Sequence, residues 1–170
     1  MKKLIVVLAA VALLPKLSGS AEFSRHVSAE NIIENRGGQV LLKPRSGLSK
    51  RIERFAVAHG AKPEVAPELA ELIATCDHPR VLAAIAAKES NFNDRARGKA
   101  GEIGMYQVLP RVHGHPGRTW RDQTKTSERL LNELVSDAGG VLQVAVRRYN
   151  GSGPKAAHYA KHVMAMARSI

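Results

Sequence analysis

One carboxyl group in this 170-residue chain is placed where general acid chemistry needs it. Leu82, Ile85, Ala86 and Glu89 fall at i, i+3, i+4 and i+7 of the run RVLAAIAAKES, a spacing that puts them on one helical stripe. The stripe is otherwise apolar, so Glu89 points either into the core or into a groove. The alternative is a terminal helix acid that bends back to water or pairs with Lys88 or Arg80. If the carboxyl is buried, loss of hydration disfavours its charged form, raises its pKa and fits it to donate a proton near neutral pH. A polar loop follows, with glycines at 98, 101 and 104, and it ends at Gln107 and Pro110. Far downstream, Tyr149-Asn150-Gly151 reads as a helix C-terminal turn that also presents polar groups.

Other reactive side chains are less well supported by their surroundings. Most glycosidases use two carboxyls, about 5 Å apart for retention or roughly 6.5–9.5 Å apart for inversion. Asp94 and Glu102 are the candidates for a second, and both sit in the polar loop where solvated acids are the plain expectation. Cys76 is the only cysteine, so no internal disulfide framework exists. It lies in the helix-like run ELAELIATC, with His78 nearby, and is best read as a small buried hydrophobe rather than a nucleophile. His113 and His115, or His158 and His162 on one helical face, offer metal-ligand spacing. No acid or cysteine completes either set, so neither a metal nor another cofactor is expected.

The elements that must position these groups are helical. Hydrophobic residues make up 44% of the chain but aromatics only 4%, which calls for an aliphatic, alanine-rich core, and alanine and leucine favour helices. Periodicity predicts helices over 49–58, with Ser49 as cap and Gly60 as stop, over 63–76, and from Pro79 to Ser90. Further helices are predicted over 127–136, across VLQVAVRRY, and from Lys155 to Arg168, with VHGHPGRTW read as a loop. Strand signals are nearly absent. The expected fold class is all-α, in a single domain over 48–170.

The N-terminus carries a different kind of signal. Lys2 and Lys3 precede an unbroken apolar run from Leu4 to Leu14, and Ser18, Gly19, Ser20 and Ala21 form a small-residue exit. That is the layout of a secretory signal peptide over 1–21, and it is shorter than the roughly 20 apolar residues a membrane anchor needs. Export to the periplasm or beyond is expected. Residues 22–47 hold no sustained periodicity, with one apolar patch at Val40–Leu42, and read as an extended or partly ordered arm.

Charge narrows the partners. The formal charge is +11, and removing residues 1–21 takes Lys2, Lys3 and Lys16 with no acid, leaving +8. Such a balance fits nucleic acid, an anionic membrane or an acidic wall polymer. The basic residues are spread along the chain without the interleaved aromatics that stack bases, and export argues against nucleic acid. Arg95, Arg97 and Lys99 fit a groove edge that meets acidic glycan or its peptide carboxylates.

Three motifs in order carry a family resemblance: Glu89-Ser90 at a helix end, Gly101-x-x-Gly104-x-x-Gln107 before Pro110, and Tyr149-Asn150-Gly151. Together, behind a signal peptide, they resemble the soluble, SLT-type lytic transglycosylases of the goose-type-lysozyme-like superfamily, over roughly Pro67 to the C-terminus. Met105-Tyr106 stands where that family shows Leu-Met, Gly98 where many members carry a serine that hydrogen-bonds the acid, and Arg148 where alanine is usual.

The resemblance implies a lysozyme-like domain with a substrate groove and a single-acid mechanism on peptidoglycan. Glu89 would protonate the glycosidic oxygen between N-acetylmuramic acid and N-acetylglucosamine. The substrate's own N-acetyl group would stabilise the cation, and Glu89 would then take the proton of the sugar's 6-hydroxyl to leave a 1,6-anhydro end. By the same resemblance, Tyr149 would hydrogen-bond Glu89, and Asn150 and Gln107 would bind acetamido and hydroxyl groups. Met105 and Tyr106 would wall the groove, with Ser90 and Gly104 beside them. A monomer is expected, acting on glycan strands, with a secretion or conjugation apparatus as the further candidate partner. Two rivals stand beside this reading: a lysozyme-type hydrolase on the same fold, and a non-catalytic wall-binding or secretion-accessory protein.

Overall fold

The helix that carries Glu89 is buried almost all round. In the computed structural model, which describes residues 32–34, 40–42 and 45–170, Ala83 to Ala87 are all 3% exposed or less. A helix apolar on every side belongs inside a bundle, and five consecutive small or aliphatic positions let neighbouring helices approach closely.

The chain divides into two units, Met1–Pro44 and Arg45–Ile170. Of the first, the described part is an antiparallel pair, β1 (Ile32–Glu34) and β2 (Val40–Leu42), with Ile33 opposite Leu41. The patch at Val40–Leu42 is thus a strand rather than only an apolar interruption. The expected signal peptide and most of the expected arm lie outside the described residues.

The second unit is all helix and loop: α1 (Gly47–Ala58), α2 (Ala66–Ala74), α3 (Pro79–Ser90), α4 (Pro110–His113), α5 (Trp120–Asp137), α6 (Leu142–Asn150) and α7 (Gly153–Arg168). Helix α3 packs on α7 and also touches α1 and α2, while α5, α6 and α7 follow one another in contact. The shared core is aliphatic, built on Ile52, Leu69, Ile73, Leu82, Ile85, Leu131, Val146 and Val163.

Several boundaries differ from the sequence reading, each for a local reason. Helix α1 starts two residues early because Ser46, not Ser49, is the cap: the Ser46 hydroxyl accepts from Ser49 N at 3.0 Å. Helix α2 is shorter than 63–76; Val65 stands at its cap with Pro67 in the first turn, and the chain leaves it at Thr75. Helix α5 begins well before Ser127, inside the stretch read as loop, because Thr119 and Asp122 form a reciprocal capping box. Helix α3 runs from Pro79 to Ser90 as expected, with proline in its first turn.

Candidate active site

Helix α3 ends on strained backbone. Asn91 and Phe92 both lie in the left-handed region, at φ 54° and 61°, and Phe92 N donates back to Ala86 O at 3.2 Å in a Schellman-type closure. Two consecutive left-handed non-glycine residues cost energy, and such strain gathers at sites where geometry matters. The closure holds the last turn, and with it Glu89, at a fixed angle. Ser90 adds a tie: its hydroxyl donates to Met105 O at 2.7 Å and accepts from Asn93 N at 3.0 Å.

The segment opposite is organised around Ile103, which bridges antiparallel to both Arg97 and Val108. Gly104 and Gln107 carry positive φ, 81° and 48°. At Gly104 the reason for glycine is also space, since a Cβ there would lie 2.5 Å from Gln123 Oε1. The buried Gln123 amide is the loop's anchor, accepting from Met105 N at 2.7 Å and donating to Asp94 O at 2.9 Å.

Between these parts lies a cleft of about 400 Å³, with Glu89 on its wall together with Gln107, Tyr149, Asn150, Glu102 and Arg148. Val108, Leu109 and Leu130 supply its apolar surface. The Glu89 carboxylate accepts a hydrogen bond from the Tyr159 hydroxyl at 2.5 Å. Burial pushes the Glu89 pKa up, opposed by that hydrogen bond and by Lys88, and helped by the charge of Glu102. No ion pair to Glu89 forms among the described residues. The arrangement therefore favours the protonated form of a carboxyl that opens onto a polar cavity, the direction a general acid requires.

The structure brings Glu89, Gln107, Tyr149 and Asn150 to one cleft but separates other expected site residues from it. Met105 and Tyr106 are 1% and 0% exposed, so they pack in the core rather than wall the groove. Of the two, Met105 borders a different cavity beside Trp120. Ser90 spends its hydroxyl on backbone, and Gly104 faces the cavity on the far side of the loop. Tyr149 does not bond Glu89: its hydroxyl donates to Tyr106 O at 3.1 Å.

The residue that holds the acid is Tyr159 on α7, which sequence reasoning missed. A signal was present: Tyr159 shares the buried stripe of Ala156, Ala160 and Val163, and a phenol in such a stripe needs a polar partner. Of the two candidate second acids, Glu102 lines the cleft and Asp94 lies in the neighbouring cavities. Cys76 is buried and its thiol is pushed up to about 12 by burial first and then by Glu128, which suits an inert core position. His113 and His115 separate, the first bordering the cleft and the second the cavity beyond the loop, while His158 and His162 stay one turn apart on α7. Among the described residues no three metal-ligating side chains converge.

An all-α bundle whose central helix delivers one half-buried glutamate to a polar cleft fits a lysozyme-like domain. A family model described as the transglycosylase SLT domain matches residues 74–167, more than half of the chain, and the chain belongs to that family. The match begins at the end of α2 and ends within α7, so it spans every residue that lines the cleft. No curated protein and no solved structure matches the chain.

Proposed function

We propose that this protein is an exported lytic transglycosylase that cleaves the bond between N-acetylmuramic acid and N-acetylglucosamine in peptidoglycan without water. The observation that carries the reading is Glu89: a half-buried carboxyl on a cleft wall, held by the Tyr159 phenol and, among the described residues, in no ion pair. Family membership supplies the reaction class and the polymer.

In this reading the glycan strand lies in the cleft with its scissile oxygen at Glu89. Tyr159 occupies Oε1, so the proton resides on Oε2 and passes to the glycosidic oxygen as the bond breaks. The substrate's N-acetyl group stabilises the cationic sugar, and the Glu89 carboxylate accepts the proton of the 6-hydroxyl as that oxygen closes the anhydro ring. The proton returns to its starting place and no water is consumed. Apolar walls from Val108, Leu109 and Leu130 favour ring closure over attack by water.

Gln107 and Asn150 are the polar groups for substrate recognition. The Gln107 amide nitrogen donates to Gly104 O at 2.9 Å, which leaves its oxygen to accept from a sugar hydroxyl or acetamido N–H. Asn150 is exposed at the end of α6, on the cleft rim. Tyr149 acts one step back, fixing the Tyr106 backbone next to Gln107.

The basic surplus suits an acidic polymer. Lys99 borders the cleft, whereas Arg95, Arg97 and Arg118 line an adjacent cavity of about 530 Å³ on the other face of the same loop. Export rests on the leader-like run at residues 1–21. The test is product analysis of digested peptidoglycan with the chain and its Glu89→Gln variant.

A further inference from the structure

Glu102 sits in a tight turn whose shape makes room for its own side chain. Gly98 N donates to Glu102 O at 2.9 Å and Gly101 N to Gly98 O at 3.2 Å, closing a turn between the bridged residues Arg97 and Ile103. The Glu102 side chain folds back over that turn, and its Oε2 accepts from Ala100 N at 3.0 Å.

Gly98 is the residue that permits this. Its backbone does not need glycine, for it is absent from the positive-φ glycines of the chain. Its surroundings do. A Cβ at 98 would lie 2.2 Å from Glu102 Oε2 and 2.7 Å from Gln107 Oε1. Real Cβ atoms do not approach so closely, so any side chain at 98 evicts the Glu102 carboxylate from its seat. The missing side chain and the acid are one feature: a gap at 98 filled by a carboxylate that borders the same cleft as Glu89.

That carboxylate is partly exposed, is bonded by a backbone N–H, and forms no ion pair among the described residues. The groups that face Glu89 come from every neighbouring element. Lys88 lies on its own helix, Tyr159 on α7, Tyr149 and Arg148 on α6, His113 on α4, and Lys99 and Glu102 on the turn. Of these charges, Lys88 favours the Glu89 carboxylate and Glu102 opposes it.

We propose that Glu102 is a positioning residue for the acid: seated over Gly98 on the border of the same cleft, its carboxylate adds to the effect of burial in holding the proton at Glu89 and favours the proton's return after each bond cleavage. The role in turnover rests on the reading of Glu89 as general acid. The charge effect on Glu89 does not. A second carboxyl in the cleft then serves neither as nucleophile nor as base, because the proton leaves Glu89 for the glycosidic oxygen and comes back to Glu89 from the sugar hydroxyl.

The test is carbon-13 NMR titration of the glutamate carboxyls in the full chain, beside the pH dependence of kcat/KM on peptidoglycan. In Glu102→Gln the Glu89 midpoint moves to lower pH, and the alkaline limb of the rate profile moves with it. Gly98→Ala, which displaces the carboxylate, moves both in the same direction, and the double variant moves them no further than either single change. A Glu89 titration in Glu102→Gln that superimposes on wild type overturns the proposal, and this variant decides alone if Gly98→Ala does not fold. A chain that releases nothing from peptidoglycan yet shows the shifted midpoint overturns the proposed function and keeps the electrostatic coupling. An active chain without the shift removes the coupling alone.

Discussion

At the scale of single residues, the site turns on opposing influences on one carboxyl. Burial raises the Glu89 pKa, and the Tyr159 hydrogen bond, made to the charged form, lowers it. Tyr159→Phe removes the lowering influence, so the alkaline limb of kcat/KM moves to higher pH, opposite to Glu102→Gln; limbs that move together would contradict the assignment. Stability carries the same sign. A carboxyl whose folded pKa is raised stabilises the fold fully below its unfolded pKa and loses that contribution as pH rises through the folded pKa. Glu89→Gln does not titrate, so its melting temperature should gain on wild type as pH rises from the ordinary carboxylate range towards neutrality. Paired thermal melts at pH 4 and pH 7 check this, and a gain confined to pH 4 would reverse the sign. Cleavage of the glycosidic bond should fall at least about a hundredfold in the same variant, the usual contribution of a positioned proton donor.

At the scale of elements, the loop from Asp94 to Pro110 owes its shape to Gln123 more than to its own residues. Gly104→Ala places a methyl against that amide and forces φ 81° on a residue with a Cβ, so it should cost about 2 kcal/mol or more in denaturant unfolding and perturb the cleft from behind. Thr119→Ala, which removes half of the capping box of α5, should cost about 1 kcal/mol and leave the cleft intact. The helices themselves were legible because their signals are local: proline at the start of α3, apolar spacing along it, and Asn150-Gly151 at the end of α6. The stripe of Leu82, Ile85 and Ala86 put Glu89 on an apolar helical face because spacing alone decides which residues share one. What the sequence did not reveal depends on contacts across the fold. Tyr159 and Glu89 lie 70 positions apart, and nothing in either segment announces their bond. Tyr149 and Tyr159 are both phenols on helices next to the cleft, and only packing decides which one reaches the acid. Likewise Met105 and Tyr106 are apolar loop residues that suit a groove wall or a core equally well, and the Gln123 anchor draws their segment inward.

At the scale of the whole molecule, basic side chains stand on both faces of the loop that borders the cleft. The cleft has Lys99 and Arg148 on its border, and Arg95, Arg97 and Arg118 line the cavity on the other face of the loop. Exposed charges of this kind act over about 8–10 Å at ordinary salt and are screened above it. Replacing Arg95 and Arg97 by serine should weaken co-sedimentation with purified cell wall at low salt and make little difference near 1 M salt; equal binding of both proteins at low salt would remove the wall-facing role of this cavity. The central claim is more specific than wall binding and needs the products. Soluble fragments released from purified peptidoglycan by the chain, analysed by mass spectrometry beside Glu89→Gln, test it most directly. The account predicts 1,6-anhydro-N-acetylmuramic acid ends from the wild type that vanish in the variant. Reducing ends in their place, or the same products from both proteins, would contradict it.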